Sequence, residues 1–325
     1  MLDFEKIRKD IPAISQESIY LDSVASSLTP MSVIDAMNEY YCNFRANVHR
    51  GTYRASIEAS ERFEEALQTV SSLIGASMEE IVFVSNTTHG INEVAFTLDF
   101  QVGDEVIISS LEHSSNTLPW MRLAKMSGLV VKEFIAEPDG TLDISRLQLL
   151  LSSRTRLVSI TFVSNVTGAV TPVEEIGRIC KERNIMYLVD AAQAVPHRKI
   201  DVKKIGCDFL VFSGHKMLGP TGIGVLYIRK SLGESLIPAF LGGGTIDEQY
   251  HVESLNSSTI DSVKFSNLPY KWISGTPPIA EAIGLKAAVD YLTTLGFDDI
   301  ASHDRVSAAA QWPTADGIAC PEVDG

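Results

Sequence analysis

The strongest constraint on this chain is one lysine set between two apolar runs. Phe209, Leu210, Val211 and Phe212 read as a buried strand. Ser213, Gly214, His215 and Lys216 follow, then a turn rich in Gly and Pro, then a second apolar run from Val225 to Ile228. Burying an ammonium is costly unless it is paired or neutralised. A desolvated lysine has a lowered pKa, and its neutral amine condenses with a carbonyl to give a Schiff base. The commoner fate of a lysine beside a turn is simple solvation. Gly219, Gly222 and Gly224 do not form a nucleotide loop, because a strand follows them and no Gly-Lys-Ser/Thr sequence closes them. Lys216 therefore carries function only if the rest of a cofactor site lies elsewhere in the chain.

The 325 residues are 45% hydrophobic and 21% charged, enough for a large domain plus a smaller one. A formal net charge of −14 argues against a nucleic-acid backbone as partner. No apolar run approaches the ~18–20 residues that span a membrane, and the first ten residues lack the apolar core of a signal peptide. Cys42, Cys180, Cys207 and Cys320 show no close pair and no metal spacing, so reduced thiols in the cytoplasm are expected. Cys42, Cys180 and Cys207 are expected to pack as small buried hydrophobes.

Residues 1–18 read as a short helix and linker, and Ile19 to Leu21 as a first strand. Helices are expected over about 32–44, where Val33, Met37, Tyr40 and Phe44 recur at helical spacing, and over about 57–74, stopped by Gly75. Alternation then sets in. Strands are expected at 81–85, 105–109, 129–135, 156–163, 186–190, 208–212 and 224–228, with helices at about 89–98, 116–127, 143–152 and 173–184. This pattern predicts an α/β layer sandwich around a mostly parallel seven-stranded sheet. Residues 231–275 read as irregular, and Pro277 and Pro278 open a helix to about Leu295.

Ligands of such sheets bind beyond the carboxyl ends of the strands, where several polar groups fall. Thr87 and Thr88 stand at a helix N-terminus, a place for a phosphate, although a helix cap uses the same residue type. Asp190 ends a buried strand, as an N-cap or as a fixed negative charge for a protonated pyridine nitrogen. His113 is suited to lie flat over an aromatic cofactor and shuttle a proton, or is a surface loop residue. Asn165 offers an amide to a ring oxygen or a carboxylate, or simply forms a turn. A lysine for an aldehyde, an aspartate for a pyridinium, a histidine for a ring face and a capped helix for a phosphate are together the requirements of pyridoxal 5′-phosphate (PLP).

The same residues carry a family resemblance. Ser213-Gly-His-Lys216-Met-Leu-Gly-Pro-Thr-Gly-Ile-Gly224 resembles the PLP-lysine motif of class V aminotransferase-like enzymes, most closely group II cysteine desulfurases and selenocysteine lyases. The likeness includes Val48-His-Arg-Gly51, Asn86-Thr-Thr-His-Gly90, Glu112-His113, Val163-Ser-Asn165, Val189-Asp-Ala-Ala-Gln193 and Ser274-Gly-Thr-Pro277, and runs to about residue 300. It implies the PLP-dependent transferase fold type I. It also implies that Lys216 holds PLP and moves the substrate α-proton, that His113 stacks on the ring, and that Asp190 and Gln193 bind the pyridine nitrogen and phenolic oxygen. Thr88, Ser213 and His215, with Thr87 as a weaker candidate, would bind the phosphate. Thr276 would reach the phosphate of a second subunit in a homodimer. Asn165, His49 and Arg50 would approach the substrate. The implied reaction takes L-cysteine to L-alanine and mobilises sulfur, through an acceptor protein, for iron–sulfur cluster or sulfur-cofactor synthesis.

The resemblance also implies a C-terminal lobe with a nucleophilic cysteine and a carboxylate-binding arginine, and no counterpart of either is found. The expected organisation is an N-terminal segment (1–18), a large PLP-binding domain (19–275), and a linking helix with a truncated C-terminal domain (276–325). The departure keeps open another class V activity, such as a selenocysteine lyase or an isopenicillin-N epimerase-like enzyme, and a non-catalytic PLP-fold protein. A smaller departure is His89, where relatives usually carry an acidic residue.

Overall fold

The computed structural model describes residues 2–14, 19–49, 51–247, 260 and 263–311. Arg50 and Cys320 lie outside them. Strands form where the apolar runs predict: β1 (Ile81–Val84), β2 (Glu105–Ser109), β3 (Val130–Phe134), β4 (Thr155–Thr161), β5 (Met186–Asp190), β6 (Phe209–Ser213) and β7 (Gly224–Ile228). Every residue of β1, β2, β6 and β7 is buried, as expected for strands covered on both faces.

The seven strands make one sheet in the order β1-β7-β6-β5-β4-β2-β3. Only β7 is reversed, pairing antiparallel with β1 and β6, while β6, β5, β4, β2 and β3 run parallel. The carboxyl ends of β2, β4, β5 and β6 therefore open on one edge of the sheet. This is the architecture of PLP-dependent fold type I.

The helices are α1 (Phe4–Asp10), α2 (Met31–Asn43), α3 (Arg54–Leu73), α4 (Thr87–Thr97), α5 (Leu118–Ser127), α6 (Ile144–Leu150), α7 (Val173–Glu182), α8 (Val202–Ile205), α9 (Lys230–Ser235), α10 (Ile279–Leu295) and α11 (Phe297–Gln311). Helix α4 packs on β6 and β7, α7 on β5, and α10 against α2 and α3. The buried side chains of α3 and α10, among them Phe63, Leu67, Ala282 and Leu285, join the sheet in one core.

Two expectations are corrected. Ile19 to Leu21 has the composition of a strand but pairs with none; Ile19 and Leu21 are 86% and 88% exposed, because the segment finds no sheet edge. Cys42 is exposed on α2, whereas Cys180 and Cys207 are buried as expected. Past residue 300 the chain continues as α11, which has Asp298 and Asp299 in its first turn. The ion pair Lys199–Asp298 (2.7 Å) and the contact between His197 Nδ1 and Asp304 Oδ2 (2.8 Å) hold it to the segment between β5 and α8.

Gly224 shows how tightly the sheet meets the site. A Cβ there would lie 2.7 Å from Asn86 Cα and 2.7 Å from the Phe212 carbonyl oxygen, both backbone atoms that cannot swing away. Gly224→Ala is expected to lower stability by about 1–3 kcal/mol. The check is a lower urea midpoint with an unchanged m-value.

Candidate active site

A cavity of about 640 Å³ opens at the carboxyl edge of the sheet. Of the residues singled out from sequence, Lys216, His113, Thr87, Thr88, Asn165, Asp190, Gln193, Ser213 and His215 all line it. Thr276 is exposed and lies outside this wall. His49 is not part of the wall either: its ring packs on Tyr270 at 4.9 Å between centroids, and Nδ1 lies 3.7 Å from Glu64. In its own chain His49 thus lies beside Tyr270 and Glu64, outside the residues that line the cavity.

Lys216 closes the 3-10 turn Gly214–Lys216 directly after β6. Burial lowers its pKa, opposed by the charge of Asp190. Asp190 is 3% exposed at the end of β5, and its Oδ1 accepts the Ala192 N–H at 3.0 Å. Burial raises the Asp190 carboxyl, offset by that N–H and by the charges of Lys216 and His113. A buried carboxylate with one oxygen bonded to backbone keeps the other for a cation in the cavity, such as a protonated ring nitrogen.

The anion side is built from α4. Asn86 caps the helix by accepting the His89 N–H at 2.9 Å, and the helix N-terminus adjoins the cavity through Asn86, Thr87 and Thr88. The Ser213 hydroxyl accepts the Thr87 N–H at 2.9 Å and pairs with Thr87 Oγ1 at 2.8 Å. That contact binds the lysine strand to the helix. Gln193 Nε2 donates to the Val24 carbonyl at 3.0 Å, which seats the N-terminal segment over the cavity. The His215 carbonyl accepts from Ser27 N (2.8 Å) and Ser27 Oγ (2.9 Å), and Ser27 Oγ in turn accepts the Leu218 N–H at 2.7 Å. Burial, with Lys216 beside it, lowers the His215 pKa.

A buried network fixes the loop that carries His113. Glu112 accepts from the Thr161 N–H (2.9 Å), Asn116 Nδ2 (2.6 Å) and the Ser109 hydroxyl. Asn116 Oδ1 accepts from Trp120 Nε1 (3.0 Å) and Ser159 Oγ (2.5 Å). On the far side of α4, Glu93 accepts the Ala239 N–H at 3.1 Å, and His89 lies against Phe240. Ser27, Ser115 and the network around Glu112 were not read as site residues from sequence. Glu112 stood in the Glu112-His113 motif without an assigned role, and nothing local marked Ser27 or Ser115.

The residues fit PLP: an amine depressed by burial, a buried carboxylate with a spare oxygen, and a helix N-terminus flanked by hydroxyls meet in one cavity. Fold and site define a class V, PLP-dependent type of enzyme. The family model "Aminotransferase class-V" matches residues 19–313, further than the motifs alone suggested, and the chain belongs to that family. It is 43% identical to a probable cysteine desulfurase of Pyrococcus abyssi over 304 residues, 93% of this chain and 73% of that protein. A probable cysteine desulfurase of Borreliella burgdorferi is 42% identical, over 92% of this chain and 72% of its own. Among solved structures, a cysteine desulfurase of Thermococcus onnurineus superposes with a TM-score of 0.87 at 40% identity, covering 96% of this chain and 76% of that one. The chain is cysteine desulfurase-like within its family.

Burial raises the Glu112 carboxyl from 4.5 to about 7, more than its three donors lower it. A raised folded pKa favours the protonated form, so this contribution to stability is full below pH 4.5 and is lost as pH rises through 7. Glu112→Gln, which cannot ionise, is expected to remove up to about 3 kcal/mol of pH-dependent stability across that window. Urea unfolding at several pH values reads the slope; an unchanged slope would contradict the burial argument.

Proposed function

We propose that the chain binds PLP through Lys216 and acts on L-cysteine as a cysteine desulfurase, giving L-alanine and mobilised sulfur. The single observation that carries this reading is the meeting of Lys216 and Asp190 in one cavity at the carboxyl edge of the sheet, beside the N-terminus of α4. When bound, the cofactor supplies an electron sink that stabilises negative charge at the substrate α-carbon.

Each residue then has a task set by its position. Lys216 would hold the cofactor through its amine, and the same amine would hold and move the substrate α-proton; burial lowers its pKa and so favours the neutral form. Asp190 holds the ring nitrogen protonated, and the low-dielectric surroundings strengthen that pairing. Gln193 and Asn165 orient oxygen atoms of the ring and substrate. Thr88 through its N–H, together with Ser213 and His215, would hold the phosphate, with Thr87 tied into Ser213. His113 covers the ring face.

No cysteine among the described residues lines the cavity. Cys180 is buried with its thiol pushed up to about 12, and Cys207 is raised further, so neither is a thiolate at neutral pH. The described residues thus carry cofactor attachment and α-carbon chemistry. Sulfur passes to an acceptor group outside this set, for iron–sulfur cluster or sulfur-cofactor synthesis in the cytoplasm. A homodimer suits the reading, because exposed Thr276 stands outside its own cavity, free to reach a partner's phosphate.

Adding PLP to the purified chain is expected to give a visible absorption band, and borohydride to fix the cofactor on Lys216, read by peptide mass. Lys216→Ala should lose both. Absence of the mass shift in the parent chain would refute PLP attachment. Alanine released from L-cysteine tests the activity itself, and Asp190→Ala should lower that rate at least about a hundredfold.

A further inference from the structure

Ser115 sits between two site residues without having a role of its own in the reading above. Its hydroxyl lies 2.6 Å from Thr88 Oγ1 and 2.9 Å from His113 Nδ1. Its backbone N–H donates to the same Nδ1 at 3.2 Å. A backbone N–H can only donate, so the nitrogen it faces must be an acceptor. In a neutral imidazole one nitrogen accepts and the other carries the proton. The proton of neutral His113 therefore belongs on Nε2, which has no hydrogen-bond partner among the described residues while the ring lines the cavity.

The hydroxyl reinforces this choice. With Nδ1 an acceptor, Ser115 Oγ–H donates to it, and the same oxygen accepts from Thr88 Oγ1–H. The order Thr88 to Ser115 to Nδ1 then runs in one direction, and every group in it is satisfied. The reversed order would place a proton on Nδ1 against the Ser115 N–H. The Glu112 network fixes the loop that carries the ring through Thr161 and Asn116, and turning the ring away would break both of its bonds to Ser115.

We propose that Ser115 is a positioning residue that holds neutral His113 with its proton on Nε2, so that the ring presents a hydrogen-bond donor to the cavity. A neutral imidazole in this state gives an N–H to an electron-rich acceptor atom of the ligand, a carboxylate or phenolate oxygen or a sulfur. It does not accept the α-proton at Nε2, which leaves that transfer to Lys216. This division of labour rests on the PLP reading, but the tautomer itself does not, and it can be read without cofactor.

The experiment is nitrogen NMR of the full chain carrying 15N-labelled histidine, recorded at about pH 9. The His113 signals are assigned by their loss in His113→Gln. The expected pattern is a protonated Nε2 and an unprotonated Nδ1. Ser115→Ala keeps the backbone N–H but loses the hydroxyl donor, so a measurable minor Nδ1–H form should appear, and Ser115→Thr, which keeps the hydroxyl, should restore the parent pattern. With PLP and L-cysteine, Ser115→Ala should lose about tenfold in kcat with KM little changed, the size of one hydrogen bond lost at the reacting groups. A protonated Nδ1 or an averaged ring in the parent chain would overturn the proposal, even if the variant fails to fold. A pure Nε2–H pattern surviving in Ser115→Ala would overturn the role of the hydroxyl. The tautomer pattern without covalent attachment to Lys216 would refute the function above and leave this inference standing.

Discussion

The site depends on the contact between Ser213 and Thr87. One hydroxyl at the end of β6 meets both the N–H and the hydroxyl of the first residue of α4. The group that would attach the cofactor and the helix that would hold its anionic end are thereby fixed to each other, rather than each to the sheet separately. Gly224 makes the approach possible, since any side chain there would push Asn86 and its helix away. The geometry is held by backbone and short side chains, which lose little conformational entropy when ordered.

Around that contact the fold gathers ionisable groups it can bury only at a cost. Asp190 and Glu112 are driven toward their neutral forms by burial, and Lys216 is driven the same way from the opposite charge. Glu112 is compensated by three donors and serves the loop of His113. Asp190 and Lys216 are compensated only in part within the chain. The uncompensated part is what a cationic ring nitrogen and an aldehyde would answer, so the affinity for such a ligand is prepared by the burial itself.

Most of the architecture was legible because each strand is a short apolar run bounded by turn residues, and both faces of the sheet are covered. The site was legible for a related reason: Lys216, Asp190, His113 and Asn165 each follow a strand, and a mostly parallel sheet places all such ends together. What escaped were contacts between segments far apart in sequence. Ser27 bonds across 188 positions to His215, and Gln193 across 169 to Val24, and nothing local to Ser27 or Val24 marks them. Ser115 escaped because a serine in a turn is ordinary until its neighbours are known. Ile19 to Leu21 misled for the converse reason, since strand composition without an available edge produces an exposed extended segment.

The bond between Ser27 and His215 bears on how the protein is made. It closes a loop of 188 positions, so the wall of the cavity supplied by residues 22–27 takes its place only after the lysine turn has left the ribosome. Early in synthesis the N-terminal segment has no surface to rest on, and the sheet is completed by its last strand, β7, which enters between β1 and β6. The scaffold thus forms progressively, whereas the cavity closes only once residues 22–27 and the lysine turn are both available, and ligand capture follows that step.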